Sequence, residues 1–307
     1  MIMNLGLPYK GSKNTIANDI VKALPRGKKL LDACCGGGAI LMAAAMSGRW
    51  EKVVGNDLNA ATIALLDAVL IHKGQIEYEH PPVCTREDFF HSLQRIENGD
   101  FDIQDCVNKY CASFGNNGQT YLWNPEIEKI KENVEKMLVA TRLPERRRAF
   151  RKFIAYLEKQ AEFDLAKLEN IQQLQNLERL QRLERLERLE RLDIFSIDYS
   201  EFDVVYFDIP YKGTAEYDFD FDYDRFYRMF ETLGKPAFLS EYNSSYTCVG
   251  AFNKRALYRD LSRKKGKREK LEKLYFNGTM DDYKRLMGAE YKPIDEGKQI
   301  DIFEGVA

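Results

Sequence analysis

Apolar residues along the 307-residue chain fall into short runs whose spacing predicts alternating helices and strands. Ile16, Ile20, Val21 and Leu24 share one helical face and predict an amphipathic helix over Thr15 to Leu24. Lys29 to Asp32 reads as a strand, Gly36, Gly37 and Gly38 as a tight turn, and Ile40 to Ala45 as the helix that follows. Val53-Val54-Gly55 predicts a second strand ending at Asp57, and Pro236 to Glu241 and Asp193 to Tyr199 two more. Val204 to Phe207 is a continuous β-branched and aromatic run, as in a strand buried on both faces of a parallel sheet, and it stops at Asp208-Ile209-Pro210-Tyr211. A helix is expected to start near Tyr223. Strands alternating with helices predict an α/β fold.

One stretch breaks this alternation. Leu174, Leu177, Leu180, Leu183, Leu186, Leu189 and Leu192 recur every third residue, as a tandem Leu-Glu-Arg tripeptide at its purest. On an α-helix a step of three slips by about 60° each time, so the stripe winds round the axis and excludes a coiled coil. A 3₁₀ helix would align the leucines, but such helices are short. Glu178 and Arg182, Glu184 and Arg188, and Glu187 and Arg191 are i,i+4 pairs, so a helix is expected here, with a repeat array as the alternative. The segment is expected to be a connector of adjustable length. Residues 1–74 and 193–307 are accordingly expected to form one domain, with 75–192, the repeat included, as an insertion.

Composition narrows the class. A chain of this length with 44% hydrophobic residues can bury a large core. A formal net charge of −2 argues neither for nor against nucleic acid, so the distribution of charge matters more. Cysteines at 34, 35, 84, 106, 111 and 248 form neither a disulfide framework nor paired C-x-x-C units, so reduced thiols and no metal site are expected. The amino terminus lacks a basic-then-apolar leader, and no apolar run approaches the roughly 20 residues of a membrane span. The expected place is the cytoplasm, away from membranes.

The candidate chemistry gathers at strand ends. In parallel sheets ligands sit beyond the carboxyl ends of the strands, where Asp208 emerges with two carbonyls and the Tyr211 ring. Together these suit a flat heterocycle bearing an exocyclic amine, although an ordinary strand end would look the same. Asp57 lies about 20 residues past the glycines, where an acid can accept from ribose hydroxyls. There is no G-x-x-x-x-G-K-[ST] loop, and the consecutive glycines lack the G-x-G-x-x-G order, which points to a nucleoside joined to something small. Gly11-Ser12-Lys13 ahead of the first helix is an anion cradle or a simple cap. The loop from Asn108 to Asn124 mixes polar residues with rings, among them Asn116, Asn117 and Tyr121, and suits unstacked bases, or tucks those rings into a core. Arg142, Arg146, Arg147, Arg148, Arg151 and Lys152 form a basic helix face, and Arg263, Lys264 and Lys265 lie in a basic loop, both fitted to phosphates. The acids from Glu216 to Asp224 face away from such phosphates or cap the next helix.

Several of these blocks, in this order, resemble one family: Tyr9-x-Gly-Ser-Lys13, Asp32-x-Cys-x-Gly-Gly-Gly38, Asn56-Asp57, and Asp208-Ile-Pro-Tyr211, with further likeness in Ser113 to Trp123 and Phe238 to Asn243. The chain is similar to the Dam-like, D12-class DNA adenine N6-methyltransferases over most of its length. The resemblance implies a Rossmann-like, S-adenosylmethionine-dependent methyltransferase sheet with an inserted, mainly helical target-recognition region. It implies that Tyr9 and Lys13 line the methionine end of the cofactor, that Asp32, Cys34, Gly36 and Gly38 pass beneath it, and that Asp57 holds its ribose. Asp198 would accept from its adenine amine, and Asp208 would border it. Asp208, Ile209, Pro210 and Tyr211 would carry the transfer to a flipped adenine in double-stranded DNA. Ile209 replaces the usual first proline of that block, keeping its carbonyl and losing a stiffening ring. A cognate restriction endonuclease is a compatible partner, and nothing in the sequence sets the oligomeric state. An RNA or protein-amide methyltransferase, or an inactive DNA-binding relic, remains the alternative.

Overall fold

The computed structural model describes residues 5–72, 84–113, 117–122, 142–157, 173, 183–211, 221–253 and 271–293. In chain order the elements are α1 (Ala17–Ala23), β1 (Gly27–Asp32), α2 (Ala39–Ser47), β2 (Trp50–Asn56), α3 (Ala60–Leu66), α4 (Arg86–Asn98), α5 (Ile103–Cys111), α6 (Leu143–Leu157), β3 (Leu186–Glu190), β4 (Val204–Phe207), α7 (Tyr223–Thr232), β5 (Ala237–Glu241), β6 (Thr247–Phe252), β7 (Glu272–Phe276) and α8 (Met280–Met287). The chain divides into two compact units, residues 13–58 with 184–307, and residues 1–12 with 59–183.

The first unit holds a seven-stranded sheet in the order β3-β2-β1-β4-β5-β7-β6. β3, β2, β1, β4 and β5 pair in parallel, and β7 runs antiparallel between β5 and β6. This is the Rossmann-like methyltransferase sheet that the resemblance implies. The order reverses between β1 and β4, and at such a reversal the loops diverge and leave a crevice for a ligand.

Register sorts the strand residues onto two faces. Leu31 aligns with Val54 and Val205, and these pack with Phe207, Leu239 and Tyr275 against Phe226 and Phe230 of α7. Asp32 aligns with Gly55 and Tyr206, one residue on and therefore on the opposite face. There Leu41 of α2 closes over Gly55, and Tyr283 of α8 lies 6.2 Å from Phe238 and 6.0 Å from Phe276. The Tyr283 hydroxyl donates to Ala23 O at 2.8 Å and ties α8 to α1. The polar residues of the site belong to this second face.

Two expectations about local structure are corrected. Leu186–Glu190, the last part of the tripeptide run, is an edge strand and not a helix. Pairing with β2 outweighs its helical propensity. The register explains how leucines three apart suit a strand: Val53 pairs with Leu186 and Gly55 with Leu189, with a bulge between Val53 and Val54 taking up the extra residue. Both leucines thus meet residues of one face. The earlier leucines of the run, from 174 to 180, lie outside the described residues. Asp193 to Tyr199 is likewise not a strand but two 3₁₀ turns, Ile194–Ser196 and Tyr199–Glu201. Asp193 and Asp198 cap them by accepting from the Phe195 and Ser200 amides, and Ile194 and Ile197, three apart, both face the core.

The second unit, in its described residues, is mainly helical. α4 and α5 each begin with a reciprocal cap, Thr85 with Asp88 and Asp102 with Asp105. Phe89, Cys106, Val107, Tyr110 and Cys111 form its interior, and a single bridge joins Ser113 to Tyr121. All six cysteines are free thiols, and no helix among the described residues is long and apolar enough to cross a membrane.

Candidate active site

β4 ends at Phe207, and the chain leaves the sheet beside the order reversal. Asp208 is therefore delivered to the carboxyl edge. Its two oxygens each accept from Lys13 Nζ at 2.7 Å. Lys13 precedes α1 and is 4% exposed, against 22% for Asp208. The same ammonium lies 3.7 Å from Oε1 of Glu272, which opens β7 and is 0% exposed. Tyr211 completes the group: its hydroxyl donates to Glu272 Oε1 and lies 3.4 Å from Asp208 Oδ1, and its ring sits 5.0 Å from Lys13 Nζ. Burial, with Asp208 and Glu272 adding, pushes the Tyr211 phenol far up, so it stays a donor. Tyr242, just past β5, meets the Tyr211 ring edge-on at 4.7 Å. Ile209 is 2% exposed and anchors in the apolar face beside Phe207 and Leu239, while Pro210 is half-buried.

The glycine turn after β1 supplies the other half. Gly36 and Gly38 have φ of 46° and 80°, which side chains rarely tolerate. The turn is pinned by Cys35 N donating to Asn56 O and by Gly36 N donating to Asp57 Oδ2, both at 2.8 Å. Asn56 is fully buried, and its amide donates to Ala33 O and Leu192 O while accepting from Leu192 N. One side chain thus stitches the ends of β1 and β2 to the chain leaving β3. Asp32 is 1% exposed, and neither of its oxygens makes a hydrogen bond of normal geometry among the described residues, although the Leu41 backbone amide lies close enough to act against the rise in its pKa. Burial first, then the charges of Asp208 and Asp57, raises its pKa well above the usual carboxyl value. The same three carboxyls, after burial, raise the Cys34 thiol. Among the described residues, Asp32, Asp57, Asp208 and Glu272 gather around Lys13 with more acid than base, which favours a cationic ligand.

The remaining sequence candidates fall elsewhere. Tyr9 belongs to the helical unit, where its ring lies 5.9 Å from Tyr110. Asp198 is exposed and caps its 3₁₀ turn, which with the Ser200 hydroxyl and amide lowers its pKa. Asn117 folds its own loop, accepting from the Gln119 and Thr120 amides at 2.9 Å. Tyr121 is corrected from a candidate base contact to a core ring: it is 4% exposed, donates to Cys84 O at 2.8 Å and packs 5.5 Å from Phe89. Arg147 stands exposed on α6 with Arg146, Arg148, Arg151 and Lys152. Asp222 caps α7, and Asn116, Arg263, Lys264 and Lys265 lie outside the described residues.

Glu272 and Glu241 were not found from the sequence. Glu241 is 6% exposed; its Oε1 accepts the Tyr242 amide at 2.7 Å, its Oε2 meets no donor among the described residues, and burial raises its pKa. The signal for Glu272 was period two: Glu272, Leu274 and Phe276 alternate onto one buried face, and a carboxylate there is out of place unless it has a task.

A family model described as D12 class N6 adenine-specific DNA methyltransferase matches residues 9–276. No curated protein matches the chain in sequence. Among solved structures, the rRNA methyltransferase aviRa from Streptomyces viridochromogenes is similar over 86% of this chain and 83% of its own, at 15% identity and a TM-score of 0.30. A likeness of that size carries no argument.

Proposed function

The chain belongs to the D12 class N6 adenine-specific DNA methyltransferases, and from that premise we propose that Asp208, Ile209, Pro210 and Tyr211 transfer a methyl group from S-adenosylmethionine to the N6 amine of an adenine turned out of double-stranded DNA. The observation that carries this reading is a carboxylate at the carboxyl edge of β4, beside the order reversal, with the Tyr211 hydroxyl 3.4 Å from it.

The residues present fit the cofactor. Asp32 has two buried oxygens that make no hydrogen bond of normal geometry among the described residues, the surroundings carry surplus acid, and Gly36 and Gly38 leave the turn without side chains. A sulfonium bearing an α-ammonium is the kind of cation such a donor set takes. Lys13, Asp32, Cys34, Gly36, Gly38 and Asp57 would hold it, with Asp198 accepting from its adenine amine. When bound, it supplies an electrophilic methyl on positively charged sulfur.

The chain's own residues then have to make a poor nucleophile attack. The lone pair of the adenine amine is delocalised into the ring, and inside a duplex the amine is paired. Flipping costs a few kcal/mol, and stacking on an aromatic side chain returns about 1–3 kcal/mol per base, so Tyr211 offsets much of the cost. The Asp208 carboxylate and the Ile209 carbonyl accept the two amino hydrogens and draw the nitrogen towards tetrahedral geometry. The amine gains a methyl and loses one proton, which the Asp208 carboxylate takes. This is catalysis by positioning and charge, with no covalent enzyme intermediate. Asn117 and the α6 arginines, with Asn116, Arg263, Lys264 and Lys265, are the proposed DNA contacts.

Labelled methyl donor and mixed-sequence DNA test the assignment. Asp208→Ala is expected to abolish incorporation while S-adenosylmethionine binding stays measurable; near-normal turnover would refute the role of Asp208.

A further inference from the structure

Glu272 opens a strand that is hydrogen-bonded on both sides, to β5 and to β6, and its backbone pairs with Phe252. Its position is therefore fixed by the sheet. Its side chain is completely buried, which is costly for a carboxylate unless strong partners compensate. Two of them are the Tyr211 hydroxyl, which donates to Oε1, and the Lys13 ammonium at 3.7 Å from the same oxygen. Tyr211, by contrast, lies past the end of β4, outside the ladder, and its ring angle is set by what its hydroxyl and face touch.

We propose that Glu272 is a positioning residue for methyl transfer. By accepting the Tyr211 phenol proton it sets the ring against which the target base lies. By sharing the Lys13 ammonium it keeps that cation centred on Asp208. Glu272 touches neither base nor methyl donor and acts only through these two residues. The inference rests on the function proposed above.

The test is a cycle of Glu272→Gln and Tyr211→Phe in the full chain, with kcat and KM measured separately for DNA and for methyl donor. Gln keeps the volume and removes the charge, and charged hydrogen bonds are about twice as strong as neutral ones. Misplacing a substrate by an ångström costs roughly 10²-fold, so Glu272→Gln is expected to lower kcat by about 10- to 100-fold with a much smaller change in donor KM. In the Tyr211→Phe background the same substitution should cost less, because one of the two groups it acts through is already gone and only the Lys13 contact remains. Equal losses in both backgrounds, or a kcat unchanged by Glu272→Gln, overturn the positioning role. If Glu272→Gln fails to fold, Glu272→Asp decides in its place, because it keeps the charge but shortens the reach to the Tyr211 hydroxyl. Its kcat must fall in the wild-type background and fall less in the Tyr211→Phe background, and equal losses or an unchanged kcat overturn the role. Failure of the wild type to methylate DNA would instead overturn the proposed function itself.

Discussion

Replacing Lys13 by leucine removes a cation that faces two carboxylates, the half-buried Asp208 and the fully buried Glu272. At 2.7 Å from Asp208 and 3.7 Å from Glu272, Coulomb attraction at an effective dielectric of about 20 amounts to about 6 and about 4.5 kcal/mol. Desolvation of the ammonium offsets much of this, so the net effect depends on what the substitution leaves behind. Asp208 is 22% exposed and can turn to water. Glu272 is 0% exposed and cannot. Breaking a buried pair in this way costs roughly 3–5 kcal/mol, and Lys13→Leu is expected to lose about that much in equilibrium urea unfolding at neutral pH. Adding Glu272→Gln removes the buried carboxylate that Lys13 faces at 3.7 Å and should recover about 1–3 kcal/mol of the loss, although each substitution alone destabilises. A loss below about 1 kcal/mol for Lys13→Leu, or a double variant no more stable than the single one, would refute the view that Lys13 neutralises Glu272.

Asp32 has a folded pKa well above its unfolded value of 3.8. The folded chain therefore keeps a proton that the unfolded chain releases, and the contribution of this residue to stability falls as pH rises from about 3.8 through the folded pKa. Without cofactor, Asp32→Asn should gain on wild type across that window in pH-dependent melts while binding S-adenosylmethionine more weakly; parallel pH curves would contradict this. Gly55→Ala would set a Cβ 2.8 Å from both Leu189 Cδ2 and Leu41 Cδ2. A loss of about 1–3 kcal/mol in a urea melt is expected, and an unchanged midpoint would mean that α2 and β3 are packed less tightly than described.

How much was legible from sequence follows from where the determining forces lie. β4 was readable because Val204, Val205, Tyr206 and Phe207 are all buried, and a continuous apolar run says so. The glycine turn was readable because only glycine suits the φ of Gly36 and Gly38. Leu186–Glu190 was misread because its helical propensity is local, whereas the β2 edge that captures it lies more than a hundred residues away in sequence. Asp193 to Tyr199 was misread because apolar spacing alone does not separate a short strand from two 3₁₀ turns, and the aspartate caps were the missed clue. Within the site, Lys13 and Asp208 were both named, but their direct pairing was not foreseen. Glu272 escaped because its partners lie in two distant segments, and the period-two alternation that marks it as buried says nothing of what it faces.

The edge strand at β3 has one more property. Its five residues, Leu-Glu-Arg-Leu-Glu, occur again starting at Leu183, a single triplet upstream. Gain or loss of a whole triplet in the gene would therefore present β2 with the same hydrogen-bonding partner and the same two leucines. Only the tether leading into the sheet would change in length. A change of one triplet would thus leave the pairing of β3 with β2 as it is.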